Sequence, residues 1–234
     1  MWVWMLLVSL VAGWLVNLVA DTAPEQRSIR ETWLWALCQL PAPLRQKLGL
    51  HAIAANGQPY RPWRYFLVWC ATLLLGWFAY QRSGFTLSGL VLAIQAWFFL
   101  AVAVIDLEHR RVLNSMLLAS LPMFVMFALI NGLPSPLSAL GGALTGFGLF
   151  LILALIRPGG IGMGDVKLAG VIGLATGFHG VIGAIMICML TGGLAAAFVL
   201  LRQPKQRGQT MAYAPYLVIG AWAALYYGVS VWRF

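Results

Sequence analysis

The few carboxylate side chains are the residues of this chain best suited to chemistry. Six acids occur among 234 residues, and three of them, Asp106, Glu108 and Asp165, border long apolar runs. An ionisable residue at the edge of a bilayer is expensive unless it is solvated or paired, so each is a functional hypothesis by default. Two neighbouring carboxylates that share one proton can supply the base and the acid of an aspartic peptidase. The alternative for any one of them is a solvated helix end.

Asp165 directly follows a glycine-rich segment and opens an apolar run. Residues 159–165 read Gly-Gly-Ile-Gly-Met-Gly-Asp. Glycines at this density let the backbone approach another chain closely, and close helix packing alone would account for Gly160, Gly162 and Gly164. A phosphate-binding interpretation is disfavoured, because no strand precedes the glycines and their spacing is not that of a nucleotide-binding loop. The adjacent Asp165 favours a catalytic role for the segment.

The composition predicts the elements that must position these acids. With 62% hydrophobic and 9% charged residues, the chain has more apolar surface than a soluble core of this size can hide. The sequence predicts an all-α integral membrane protein, because helices satisfy their own backbone groups in lipid. Eight apolar runs are the predicted spans: residues 2–20, 65–80, 86–106, 115–131, 137–156, 166–177, 180–201 and 212–231. The sixth would rise only about 18 Å as a helix, which indicates a short or partly re-entrant segment.

The basic residues predict the orientation of these spans. With the N-terminus outside, thirteen of the 15 Lys and Arg residues fall on the cytoplasmic side, and only Arg82 and Arg233 fall outside. Basic residues collect in cytoplasmic loops, so this arrangement is favoured. It places Asp106 and Asp165 on one cytoplasmic face. It also explains the net charge of +9 through topology, and no nucleic-acid partner is expected.

Three regions are predicted along the chain. Residues 1–20 form a retained first span, because the run has no basic segment before it and no small residue at a cleavage point. Residues 21–64 form the one larger cytoplasmic loop. That loop includes apolar residues at helical spacing beside charges, which is typical of a helix lying on a membrane surface. Residues 65–234 form the membrane-embedded domain that carries the acids.

Three motifs together carry a resemblance to a known family. Residues 160–168 read Gly-Ile-Gly-Met-Gly-Asp-Val-Lys-Leu, residues 105–109 read Ile-Asp-Leu-Glu-His, and residues 213–222 read Tyr-Ala-Pro-Tyr-Leu-Val-Ile-Gly-Ala-Trp. In that order they resemble the GxGD signature, the other acidic motif and the last span of the type IV prepilin peptidases. The resemblance implies that Asp106 and Asp165 are the catalytic pair. Supporting positions would be Gly160, Gly162, Gly164, Glu108 and Lys167, although the cation of Lys167 is expected chiefly to reach the membrane surface.

The resemblance also implies a substrate and a location. The expected reaction is removal of the basic leader from type IV prepilins or type II secretion pseudopilins, whose precursors are themselves membrane helices. The expected location is the bacterial inner membrane, in contact with lipid and with the active site facing the cytoplasm. No cofactor is expected.

The chain departs from the family pattern in ways that bear on a second activity. Many relatives carry two CxxC pairs that hold zinc in the first loop and accompany N-methylation, whereas residues 21–64 here include only Cys38. Trp69 stands where the family usually has Glu, and Glu108 stands where it usually has Asp. Cleavage without methylation is therefore expected. No metal is expected either, and His109 and His179 are interpreted as interfacial residues.

A proton-coupled transporter or channel is the main alternative, with Asp106 and Asp165 acting as a relay. A transporter would place ionisable groups near the bilayer midplane, between broken helices in repeated halves. These acids lie at one face, and the sequence has no internal repeat. A membrane scaffold in which the acids are incidental is a further alternative that the paired motifs disfavour.

Overall fold

The computed structural model describes residues 2–22, 62–132, 134–156, 160–202 and 213–231. Every regular element in these ranges is an α-helix. The helices are α1 Trp2–Thr22, α2 Pro62–Ser83, α3 Leu87–His109, α4 Asn114–Asn131, α5 Pro136–Ile156, α6 Met163–Arg202 and α7 Ala214–Val231.

Four of the described helices are long and apolar enough to cross a membrane: α1, α3, α5 and α6. Helix α4 is also apolar but shorter. Large apolar side chains such as Leu137, Leu155 and Met186 are exposed on the protein surface, where lipid would cover them. The chain is a helical membrane protein, as its composition predicts.

The sixth and seventh predicted spans belong to one run of helix, α6, which is interrupted at Gly177. That residue adopts φ +75° and ψ 179°, a conformation that L side chains rarely adopt. The next residue restarts the helix, and its backbone N–H donates to Ser138 Oγ of α5 at 3.1 Å. The described residues therefore hold seven helices, one of them broken into two segments, instead of eight separate helices.

The predicted loop 21–64 is shorter than expected at both ends. Helix α1 continues through Asp21 and Thr22, and α2 already begins at Pro62. Asp21 and Arg64, which were both assigned to the loop, are therefore helical residues that face each other and form an ion pair. The surface helix predicted around residues 29–40 lies outside the described residues.

Helix α3 is the central element and separates two apolar clusters. Its residues Phe99, Val102 and Ala103 belong to a cluster with α4, α5, α6 and α7. Leu100, Val104 and Ile105 belong to a second cluster, which is built mainly with α1 and α2. Most residues of α3 between Gly89 and Asp106 are buried. The final turn of α3, which carries Asp106, is therefore packed from both sides.

Helices α5, α6 and α7 pack through small residues. A Cβ atom built on Gly173 of α6 would overlap the backbone oxygen of Gly142 on α5, and one on Gly146 would overlap the backbone of Ala169. Gly220 of α7 approaches the backbone of Ala184 in the same way. Such contacts are typical of membrane helices, where close backbone approach replaces the hydrophobic driving force. They hold the helix that carries Asp165.

Candidate functional site

Asp106 lies in the last turn of α3 and is almost fully buried, with 4% of its surface exposed. The helix ends three residues later because Arg110 adopts a left-handed conformation, φ 50°. The backbone N–H of Arg110 donates to the backbone oxygen of Asp106 at 2.8 Å. This cap ends α3 within one turn of Asp106, so the Asp106 carboxyl lies near the end of the helix.

One backbone donor reaches the Asp106 carboxyl. It is the N–H of Ala214, the first residue of α7. The N-terminus of a helix has unsatisfied N–H groups and a partial positive charge, which favour a nearby carboxylate. Oδ2 of Asp106 is buried and has no hydrogen-bond partner among the described residues. It is therefore an unsatisfied acceptor within the candidate site.

Asp165 lies in the first turn of α6, at the third helical position after Gly162. The backbone oxygen of Gly162 accepts from the N–H groups of Asp165 and Val166 at 3.0 and 3.3 Å. In return, the Asp165 carboxyl accepts from the N–H of Gly162. The bond from the Gly162 N–H to the Asp165 carboxyl is one half of a capping box; the other half is missing because glycine has no side chain to accept from the Asp165 N–H. This bond fixes the direction in which the Asp165 carboxyl points.

The two carboxyls lie close enough to interact electrostatically, although 165 − 106 = 59 residues separate them in sequence. The charge of Asp106 acts directly on Asp165, and Asp165 is only 8% exposed. No salt bridge reaches either carboxyl among the described residues. Each carboxyl instead lies beside the N-terminal end of a helix. The Asp106 carboxyl, from the last turn of α3, meets the start of α7, and the Asp165 carboxyl belongs to the first turn of α6. The site therefore holds two buried acids with neutral backbone donors around them.

Gly162 and Gly164 allow neighbouring groups to lie close to the backbone before Asp165. A Cβ on Gly164 would lie 2.8 Å from Cβ of Val112, in the short link between α3 and α4. A Cβ on Gly162 would lie 3.3 Å from Oδ2 of Asp165. Neither residue has a positive φ, so the requirement is for room and not for unusual backbone. Gly160 lies in the turn just before them.

The remaining predicted residues do not touch the acid pair. Lys167 is exposed, and its Nζ donates to Oδ1 of Asn114 at 2.9 Å, which ties the start of α6 to the start of α4. Glu108 accepts from Nη1 of Arg64 at 3.0 Å through Oε2 and at 3.3 Å through Oε1. Both are bonded to their neighbours in ways that hold elements of the site together.

Sequence reasoning missed the polar residues of α1 and α2 that reach this face. Arg64 bonds Asn17 and Asp21 of α1 as well as Glu108. The available signal was the presence of Asn17 inside an apolar run, since such a residue needs a partner in the protein interior. Asn17 is fully buried.

The described residues contain no cluster of three or more His, Cys, Asp or Glu side chains that could hold a metal ion. His179 packs edge-on against Phe178 at a ring distance of 5.4 Å. Cys188 is buried and Cys70 is exposed, and Cys38 lies outside the described residues.

Comparisons with known proteins agree on one family. The type IV leader peptidase family matches residues 93–200, which include both acidic motifs. Three relatives are each called "Prepilin leader peptidase/N-methyltransferase". The protein from Bacillus subtilis is 34% identical over 57% of this chain and 54% of its own length. The protein from Neisseria gonorrhoeae is 30% identical over 82% of this chain and 67% of its own.

The third relative extends the match along nearly the whole chain. The Pseudomonas aeruginosa protein is 26% identical over 97% of this chain and 91% of its own length. The chain thus spans between about half and nine tenths of these relatives. No solved structure matches it. The extent of these matches, and the motifs within them, show that the chain belongs to the type IV leader peptidase family.

Proposed function

We propose that this chain is an aspartyl endopeptidase that removes the basic leader from type IV prepilins or type II secretion pseudopilins. The observation that carries the proposal is the shared site of Asp106 and Asp165, two buried acids without a cationic partner among the described residues. The family match and the names of the relatives support the substrate class.

In the proposed mechanism the two carboxyls share one proton, because two close carboxylates cannot both ionise cheaply. The ionised carboxyl takes a proton from a water molecule as that water attacks the scissile carbonyl carbon. The protonated carboxyl gives its proton to the carbonyl oxygen, which yields a tetrahedral diol. Collapse of the diol breaks the C–N bond. One diol hydroxyl returns its proton to the carboxylate that had protonated the carbonyl oxygen, and the amine leaves with the proton held by the carboxyl that acted as base. The pair then returns to its starting state.

The backbone donors have a defined part in this mechanism. The N–H of Ala214 bonds Asp106 and the N–H of Gly162 bonds Asp165. Each donor stabilises the ionised form of its carboxyl and holds it in one orientation. Because these groups are neutral, they do not prevent a proton from passing between the two acids. A lysine or arginine in the same place would hold the acids ionised.

We also propose that the site opens to the cytoplasm. The distribution of basic residues supports an outside N-terminus and eight crossings. The two segments of α6, on either side of Gly177, would serve as the sixth and seventh crossings. A precursor helix could then lie against the bundle and unwind at its cytoplasmic end, presenting the peptide bond to Asp106 and Asp165.

We propose that cleavage occurs without N-methylation. The relatives' names combine both activities, but the segment 21–64 of this chain has one cysteine where a zinc-binding loop needs four ligands. The mass of the mature product tests this point. We expect a free N-terminal amine, and a product heavier by one methyl group would contradict it.

The cleavage proposal is tested with purified protein in detergent and a prepilin substrate. Asp106→Asn and Asp165→Asn keep the side-chain size but remove the acid, and each should abolish leader removal. Arg82→Gln is the control, because Arg82 is exposed at the far end of α2 and should be dispensable. Leader removal that persists in either Asp variant would overturn the proposal and would leave the proton-relay alternative in place.

A further inference from the structure

A second polar cluster lies near the end of α3, and all of its members except Glu108 lie outside the residues that the family profile matches at 93–200. We call it the Arg64 cluster, and it consists of Arg64, Asp21, Glu108 and Asn17. Nη1 of Arg64 lies 2.6 Å from Oδ1 of Asp21 and 3.0 Å from Oε2 of Glu108. Nη2 donates to the backbone oxygen of Asn17 at 3.3 Å and to its Oδ1 at 3.4 Å.

The cluster is shielded from solvent. The side chain of Arg64 is 16% exposed, that of Asp21 is 7% exposed and that of Glu108 is 18% exposed. Tyr65 adds a hydrogen bond from its hydroxyl to Oδ2 of Asp21 at 2.9 Å. Charged groups that are removed from water must be paired well, and loss of one partner leaves the others uncompensated. The geometry of the cluster is therefore strongly preferred over a loose arrangement.

The cluster joins three helices at the point where α3 ends. Asn17 and Asp21 belong to α1, Arg64 belongs to α2, and Glu108 follows Asp106 by two residues in the last turn of α3. Ile105, directly before Asp106, packs in the apolar cluster that α1 and α2 build. The position of the α3 terminus, and with it the Asp106 carboxyl, thus depends on contacts with α1 and α2.

No direct contact between the Arg64 cluster and either catalytic carboxyl occurs among the described residues. Arg64 has a fixed charge and a planar fork of donors, which suits it to hold several acceptors at once. Glu108 links it to the catalytic turn. These features indicate an effect on geometry and not on proton transfer.

We propose that Arg64 is a positioning residue, which holds the last turn of α3 through Glu108 so that Asp106 meets Asp165. This inference rests on the proposed function, because it assumes that Asp106 acts in cleavage. It assigns a task to α1 and α2, which lie outside the residues that the family profile matches.

The test compares kcat and KM for prepilin cleavage in Arg64→Gln, Glu108→Gln and the double variant, with Arg82→Gln as the control. Each single variant should lower kcat by about tenfold or more, since displacement of a reacting group by about 1 Å can lower the rate about a hundredfold. KM should change little. The double variant should lose no more than the worse single variant, because both substitutions break the same link.

A conservative variant separates positioning from a general loss of folding. Arg64→Lys keeps the charge but cannot bond all three acceptors in the same geometry, so it should recover part of the lost kcat. If Arg64→Gln does not yield folded protein, Glu108→Gln leaves the pair of Arg64 with Asp21 in place and carries the test alone. Unfolding in detergent is followed for every variant.

Three results would overturn the proposal: an unchanged kcat, losses that multiply in the double variant, or a lower unfolding temperature with normal kinetics. The activity of Asp106→Asn distinguishes failure of the Arg64 proposal from failure of the proposed aspartyl mechanism. An active Asp106→Asn removes the proposed function itself. An inactive Asp106→Asn together with a fully active Glu108→Gln removes only the role of Arg64.

Discussion

The two sides of α3 are held together by different kinds of contact. Towards α1 and α2, the close contacts are made by side chains, including the ion pairs of Arg64 and the approach of Ser9 to Gly76. Among α5, α6 and α7, backbone meets backbone, as at Gly142 with Gly173. Side chains can rotate to relieve a poor fit, whereas a backbone contact yields only when a whole helix moves.

This difference separates the supports of the two acids. Asp106 is on α3, which packs through side chains against α1 and α2, here called the N-terminal half. Asp165 is on α6, which packs backbone to backbone against α5 and α7, here called the C-terminal half. The N-terminal half should therefore be sensitive to lost polar groups and tolerant of added volume. The C-terminal half should show the reverse.

Gly173→Ala should have the largest effect on stability. The added methyl group would overlap backbone atoms of Gly142 and Ala143, and neither can move without α5. We expect a loss of about 3 kcal/mol in the free energy of unfolding, at the upper end of overpacking effects. Chemical unfolding in detergent measures it.

The matched control for that substitution is Gly148→Ala on α5, where a Cβ would meet nothing within 4 Å. Its unfolding free energy should stay within about 0.5 kcal/mol of the wild type. Equal losses of unfolding free energy in Gly173→Ala and Gly148→Ala would show that the contact of Gly173 with the α5 backbone is not the cause.

Gly164→Ala should act on catalysis more than on stability. The new methyl group would push against Val112 at 2.8 Å, in the link that follows the Asp106 turn, and should separate the two acids. We expect kcat to fall by about tenfold to a hundredfold. Val112→Gly removes the atom that the methyl group meets, so the double variant should regain activity. Failure of this rescue would show that Gly164 is needed for another reason.

Gly76→Ala should have the smallest effect of the three. Its methyl group would meet Oγ of Ser9, which can rotate away from its bond to the backbone oxygen of Met5. A loss of about 1 kcal/mol in unfolding free energy is expected, and Ser9→Ala should relieve most of it. A loss as large as that of Gly173→Ala would erase the distinction between the two halves.

The sequence predicted the helical membrane class for physical reasons, whereas the catalytic roles of the acid motifs stay a prediction. An apolar composition predicts that the chain folds in lipid. The glycines around Asp165 indicate that other backbone or side chains pack closely there. The unusually short sixth apolar run ends at the break at Gly177. The two acids were expected together at the cytoplasmic face; they lie close enough to interact electrostatically, and the side of the membrane that they face stays a prediction.

The supports of the site could not be read in the same way. Arg64 and Glu108 are 44 residues apart, and nothing local marks them as partners, because a basic residue near a span end is already explained by topology. The donor at Ala214 is a backbone N–H, which every residue except proline possesses. The contact of Gly142 with Gly173 depends on the packing of two helices, which composition alone does not determine.

If Asp106 and Asp165 work as one catalytic unit, as proposed, a comparison of single and double variants will show it. Residual prepilin cleavage rates are measured for Asp106→Asn, Asp165→Asn and the variant with both changes. Residues that act as a unit are strongly non-additive, so the double variant should be no slower than either single variant. Losses that multiply, or a single variant that cleaves at the wild-type rate, would contradict the account.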